Sequence, residues 1–238
     1  RRVGKTRLAK ELVNKVRGAE CFYFTSSPPD PAVSDEQERQ LFGQNIRREF
    51  NVNYPPPTAS WSELLHFVAD QCRAKKTLLI FDEINWMGTR CKTFLNELHN
   101  VWETNFARKK GFMLILAGSL STWLDKNILH HTGFVGRVSL DLTLKELPLH
   151  HCIQFWGNKR QQFADHEIIK LLCITGGVPR YIEELDFSLS AEQNITRLCL
   201  EPSGLLFDEF EDMFSDLFST YNTLYLAMLR GIAASSSK

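Results

Sequence analysis

The sequence predicts an α/β fold, a parallel sheet flanked by helices, followed by a helical C-terminal region. Three observations carry this. A Gly-Lys-Thr triplet at 4–6 runs directly into a helical pattern. Two continuous apolar runs, TLLIFDE (77–83) and GFMLILAGS (111–119), end in acidic or small polar residues, the form of strands covered on both faces. Strand signals then cease near residue 148.

Residues 6–17 place Leu8, Leu12, Val13 and Val16 at helical spacing, and Gly18 stops the run. CFYFTS (21–26) reads as a short aromatic strand, closed by the breaker cluster that follows. The crossover to the next strand comes as two helices. One starts from Ser34 with Gln37 three residues on, the other from Ser60 with Glu63 three residues on. Both pairs have the capping-box form, in which each side chain satisfies a backbone donor of the other residue. Between them, 51–60 (NVNYPPPTAS) is a loop. A helix over 92–107 joins the two apolar runs, completing a β-α-β alternation. VSLDLTL (138–144) alternates apolar and polar residues, as a strand nearer solvent does, and Pro148 closes it. Beyond it, helical patterns occupy 164–174, 179–187, 190–200 and 220–234, so the expected division is a core over 1–148 and a helical lid over 149–238.

Composition excludes several classes. With 43% hydrophobic residues and 28 basic side chains against 28 acidic ones, the chain has globular character, and its net charge points to no partner, although a clustered basic face could still meet nucleic acid. The six cysteines are scattered without a C-x-x-C pair, which favours free thiols in a reducing cytoplasm. No apolar stretch approaches the roughly 18 residues of a membrane span. The adjacent histidine pairs 130–131 and 150–151 lack accompanying ligand spacing, so magnesium is the one metal expected. Asn194-Ile195-Thr196 has the acceptor form for glycosylation, which a cytoplasmic chain would not receive. The acidic-aromatic stretch 207–218 sets Phe207, Phe210, Phe214 and Leu217 at helical spacing and reads as a helix packed by its aromatics.

The chemistry lies in the punctuation between elements. R-R-V-G-K-T supplies three of the four variable positions of G-x-x-x-x-G-K-[ST] and then its last three residues, so the chain is expected to be a piece that starts inside this loop. Gly4 lets the backbone approach a phosphate, Lys5 reaches the β and γ oxygens, and Thr6 holds magnesium. With Arg7, they form the candidate ATP-binding set at the start of a helix, whose N-terminus favours anions. Asp82 and Glu83 end the TLLIF run, where open α/β sheets bind their ligands. Asp82 would orient magnesium and Glu83 the water that attacks the γ-phosphate. Ser119 ends the other apolar run, in position to reach that water or to cap a turn. Arg137 lies between a glycine-containing loop and the 138–144 pattern, where it is a finger candidate or an exposed arginine. In TGGVPRY (175–181) two glycines end one helix and Pro179 starts the next, leaving Arg180 facing a γ-phosphate or solvent.

In their order, G-K-T, LLIFDE, LILAGS, the G-R at 136–137 and TGGVPRY resemble the archaeal-type ATPase family of the AAA+ and STAND group, over nearly the whole chain. The resemblance implies a P-loop ASCE-type parallel sheet with a C-terminal helical lid. It assigns Lys5 and Thr6 to Walker A, Asp82 and Glu83 to Walker B, Ser119 to sensor 1, Arg137 to the G-R arginine and Arg180 to the arginine of G-G-x-P-R-Y. It also implies a strand before the loop and a winged-helix region after the lid, neither within these residues. The expected function is ATP hydrolysis with Mg2+ coupled to lid movement. Its alternatives are a nucleotide-dependent switch with little turnover and a DNA-associated module. The partners admitted are ATP, a second copy of the chain and DNA through the winged-helix region; a membrane is not.

Overall fold

The computed structural model describes residues 2–26, 33–91, 93–209, 227–229, 231 and 232. The chain divides into two compact units, Lys5–Thr143 and Leu144–Lys238, the second including Arg1–Gly4.

The first unit is built on three parallel strands, β1 (Glu20–Thr25), β2 (Thr77–Asp82) and β3 (Phe112–Leu116), with β2 in the centre. Thr25 lies beside Asp82 and Phe81 beside Leu116, so all three strands end at one edge of the sheet. Strand alternation sends Phe24 and Tyr23 to opposite faces. On the first face, Phe22, Phe24, Leu79 and Phe81 meet α2 (Asp35–Phe50), α3 (Trp61–Gln71) and α5 (Phe94–Thr104) in the main core. Aromatic rings dominate it: Phe24 lies 4.9 Å from Phe42 and 5.7 Å from Phe81, and Trp61 4.7 Å from Phe94. Each such side chain contributes about 1.5–3 kcal/mol by leaving water. Helix α1 (Lys5–Lys15) packs against β2 and brings Lys10 over the ring of Tyr23.

Both capping boxes form. Ser34 Oγ accepts the Gln37 N–H at 3.2 Å while Gln37 returns a bond to the Ser34 N–H, and Ser60 with Glu63 does the same at 3.3 and 2.7 Å. The other end of α3 is closed by Lys109, whose ammonium donates to the carbonyls of Ala69 and Cys72, a cation against a helix C-terminus.

β2 is buried along its whole length, as its apolar run requires. The second apolar run behaves differently. β3 is only partly covered, with Met113 49% exposed, because among the described residues it pairs on one side only. Residues 138–144 do not form the expected strand. Val138, Leu140 and Leu142 are exposed, and none of the three described strands pairs with this segment. The alternating period was present, but a strand also needs a neighbour for its ladder. Helices α4 (Ile84–Arg90) and α6 (Ser121–Leu124), the latter running into a π-helical turn at Asp125–Leu129, add to the elements expected.

The second unit is helical. Cys152 at the end of α7 (Leu149–Cys152), Trp156, Phe163, Ile168 and Leu171 of α8 (Asp165–Thr175), Ile182 of α9 (Pro179–Ile182), and Ala191 of α10 (Ala191–Ile195) share one core with Leu185 and Leu198. Gly176 caps α8 and Pro179 opens α9, which is shorter than the 179–187 pattern suggested. Asn194 is fully buried, donating to the carbonyls of Asp186 and Ser190 and accepting the Asp186 N–H, so its amide is consumed by the fold. Phe207 is exposed; the rest of the 207–218 stretch beyond Glu209, and most of 220–234, lie outside the described residues.

Ser60→Ala is expected to lower the stability of the first unit by about 1 kcal/mol in urea unfolding, with Ser60→Asp restoring most of it, because aspartate accepts the same N–H. Burial pushes the Cys72 thiol up to about 12 from an ordinary 9.0. A group whose pKa rises on folding stabilises fully below its unfolded value and loses that contribution as pH climbs through the folded one. Stability should therefore fall between about pH 9 and 12, and Cys72→Ala, weaker at neutral pH, should show a shallower fall in urea midpoint over that range.

Candidate functional site

The site is assembled at the carboxyl edge of the sheet, around Asp82. This residue ends β2 with only 3% of its surface exposed. A carboxylate so placed needs donors to replace water. Three reach it. The Glu83 backbone N–H donates to Oδ1 at 3.0 Å, Thr6 Oγ1 donates to Oδ2 at 2.6 Å across 76 positions of sequence, and the Tyr23 hydroxyl makes a short bond to the same Oδ2. Burial pushes the Tyr23 phenol well above its ordinary value, and the bond to Asp82 adds to the rise, so the hydroxyl stays a donor across the neutral range.

Thr6 reaches Asp82 because α1 begins at Lys5. Gly4 precedes it at φ +96°, a conformation that L side chains rarely adopt. The first turn of α1 carries Lys5 and Arg7 and no acidic residue, so its unpaired N–H groups are not already complemented by a carboxylate of that turn. Arg7 is exposed.

Glu83 turns the chain from β2 into α4 at φ +53°, strained for a residue with a side chain. The strain is held by bonds to the next strand end. Ala117 N–H donates to the Phe81 carbonyl at 2.9 Å and Ile84 N–H to the Ala117 carbonyl at 3.0 Å. Ser119 then donates twice to Glu83 Oε2, from Oγ at 2.8 Å and from its N–H at 3.1 Å, and shares that N–H with Asn85 Oδ1 at 3.2 Å. Asn85 is fully buried, and its Nδ2 has no partner among the described residues. Gly118 is required by this approach: a Cβ there would lie 2.5 Å from Asn85 Oδ1. At the tip of β1, Ser26 Oγ donates to the buried Glu38 at 2.6 Å.

The structure thus gathers Thr6, Asp82, Glu83 and Ser119, and adds Tyr23, Asn85 and Gly118, which the sequence reading did not single out. Asn85 had a signal, two residues beyond Glu83 in the same turn. Tyr23 had none, since it read as one aromatic of a strand and only the register with β2 reveals its hydroxyl's target. Arg137 is not in this group. It is exposed and pairs with Glu103 of α5, whose carboxyl it holds below the usual range. Arg180, in the second unit, pairs with Glu184 at 2.7 Å.

The donor set fits magnesium. The Thr6 hydroxyl spends its hydrogen on Asp82 and keeps oxygen lone pairs, and the two residues present the hard oxygens that this ion prefers.

A family model described as an AAA domain matches residues 1–124. No curated protein matches the chain. Among solved structures, a Walker-type ATPase of Pyrococcus abyssi, PABY2304, is similar with a TM-score of 0.57 and 17% identity, over 90% of this chain and 68% of that one. At that identity the likeness is one of fold. No helix among the described residues is long and apolar enough to cross a membrane.

Gly118→Ala is expected to cost about 1–3 kcal/mol in chemical denaturation, through overpacking against Asn85. Combined with Asn85→Ala, which opens that space, the cost should be less than the sum of the single effects.

Proposed function

The chain belongs to the AAA-domain family of P-loop ATPases, and from that premise we propose that it binds ATP with magnesium and hydrolyses the γ-phosphate to give ADP and phosphate. The observation that carries the proposal is the Thr6–Asp82 hydrogen bond, which joins the start of α1 to the tip of β2. In this reading the N–H groups of the first turn of α1, with Gly4 allowing close backbone approach, cradle phosphate oxygens. Lys5 neutralises charge on the β and γ oxygens, and Arg7 adds positive charge beside them. Thr6 and Asp82 hold magnesium, which supplies electrostatic stabilisation of the phosphate oxygens when bound.

Glu83 orients the attacking water and accepts its proton as the new bond to phosphorus forms and the bond to the bridging oxygen of ADP breaks. Its two bonds from Ser119 fall on one carboxylate oxygen. A carboxylate has about four acceptor sites, so these bonds aim the group while leaving capacity for water. Arg137 or Arg180 is assigned to compensating charge in the transition state, each being held at present by a carboxylate, Glu103 or Glu184. Hydrolysis is coupled to movement of a helical lid over 149–238. Six free thiols support a reducing, cytoplasmic setting.

Lys5→Ala should abolish tight binding of a fluorescent ATP analogue. Glu83→Gln should retain that binding while lowering steady-state phosphate release by about 100-fold or more. Tight binding with no turnover in the unsubstituted protein would instead establish a nucleotide-dependent switch. Unchanged nucleotide affinity in Lys5→Ala would remove the proposal altogether.

A further inference from the structure

Strand β1 carries three aromatic residues in a row. Phe22 and Phe24 enter the main core. Tyr23 faces the other way, half-buried against α1, and its hydroxyl is spent on one acceptor, Asp82 Oδ2. That bond is diagonal. Tyr23 lies beside Ile80 in the parallel register while Asp82 lies beside Thr25, so the phenol reaches two residues along the strand, a span open to a long aromatic side chain. Lys10 of α1 sits over the ring face, 5.6 Å from its centre, and steadies its orientation.

The acceptor it chooses is telling. Asp82 Oδ2 already receives the Thr6 hydroxyl, and a carboxylate oxygen offers two lone pairs. With Thr6 and Tyr23 on Oδ2 and the Glu83 N–H on Oδ1, the plane of the carboxylate is fixed from a helix, a strand and the turn after β2. We propose that Tyr23 is a positioning residue for magnesium: it holds the Asp82 carboxylate in the orientation that receives the Thr6 hydroxyl, and so sets how tightly the ion binds with the nucleotide. The proposal rests on the reading of Thr6 and Asp82 as the magnesium-holding pair. Tyr23 touches neither nucleotide nor metal in it, and acts through Asp82.

The test separates metal from nucleotide. A fluorescent ATP analogue is bound to the full chain without divalent ions, and Mg2+ is then titrated, with Mn2+ binding followed by electron paramagnetic resonance as a second readout. Tyr23→Phe keeps the ring and removes the donor. It should raise the metal concentration for half-saturation about tenfold, the scale on which outer partners tune metal sites, and leave metal-free nucleotide affinity unchanged. An unaltered metal requirement in Tyr23→Phe, beside a lost one in Asp82→Asn, would overturn the role of Tyr23 and leave the ATPase reading standing. A parallel loss of metal-free and metal-dependent binding would also overturn it, because damage to the strand lowers both. If Asp82→Asn kept the full magnesium dependence, the premise itself would fail.

Discussion

A carboxylate buried at the end of a buried strand must be surrounded by donors, and the working edge of the first unit is arranged to meet that demand at Asp82. Taking the charge out of water costs several kcal/mol before any partner is counted. The three donors that offset this come from different elements: Thr6 opens α1, Tyr23 lies in β1, and the Glu83 N–H belongs to the turn after β2. Meeting the demand therefore fixes where α1 begins against the sheet and which face of β1 carries a hydroxyl. Loss of any one donor would leave the others to hold a charge with too few partners.

The turn after Asp82 stores strain, and the neighbouring strand end holds it in place. Glu83 occupies a left-handed conformation, and the ladder bonds of Ile84, Ala117 and Phe81 carry the sheet past the last formal strand residues. Ser119 reaches Glu83 by side chain and backbone at once, while Asn85 packs against Gly118 at a distance that excludes a Cβ. Parallel strands make such a cluster natural, because all their carboxyl ends open on one edge. Two acids adjacent in sequence thus receive different surroundings. Asp82 takes hydroxyls from α1 and β1, and Glu83 takes both donors of Ser119.

The two arginines are each engaged by a carboxylate of their own unit. Arg137 is spent on Glu103 and Arg180 on Glu184, each in an exposed or half-exposed ion pair. Surface pairs of this kind are weak, so an anionic ligand could win either guanidinium at small cost. A buried network such as that around Asp82 has no such freedom. The contrast separates side chains locked by a buried network from ones held only by surface ion pairs.

Much was legible in the sequence for reasons that are local. The capping boxes at Ser34 and Ser60 are interactions over three residues, and β2 was legible because a strand covered on both faces must be apolar throughout. Thr6, Asp82, Glu83 and Ser119 could be singled out from their places at element ends, and the Thr6–Asp82 and Ser119–Glu83 hydrogen bonds bring them together in two pairs. What the sequence could not determine was anything that depends on a neighbour in space. The period at 138–144 was right for a strand, yet no described strand pairs with it, and β3 reads as apolar yet among the described residues pairs on one side only. Arg137 and Arg180 stood at motif positions by sequence, and only the structure shows the carboxylates that hold them, Glu103 and Glu184. Tyr23 is the clearest case. By itself the sequence determined an aromatic strand and a buried acid 59 positions apart, and only the parallel register of β1 on β2 decided that the hydroxyl of one meets the carboxylate of the other.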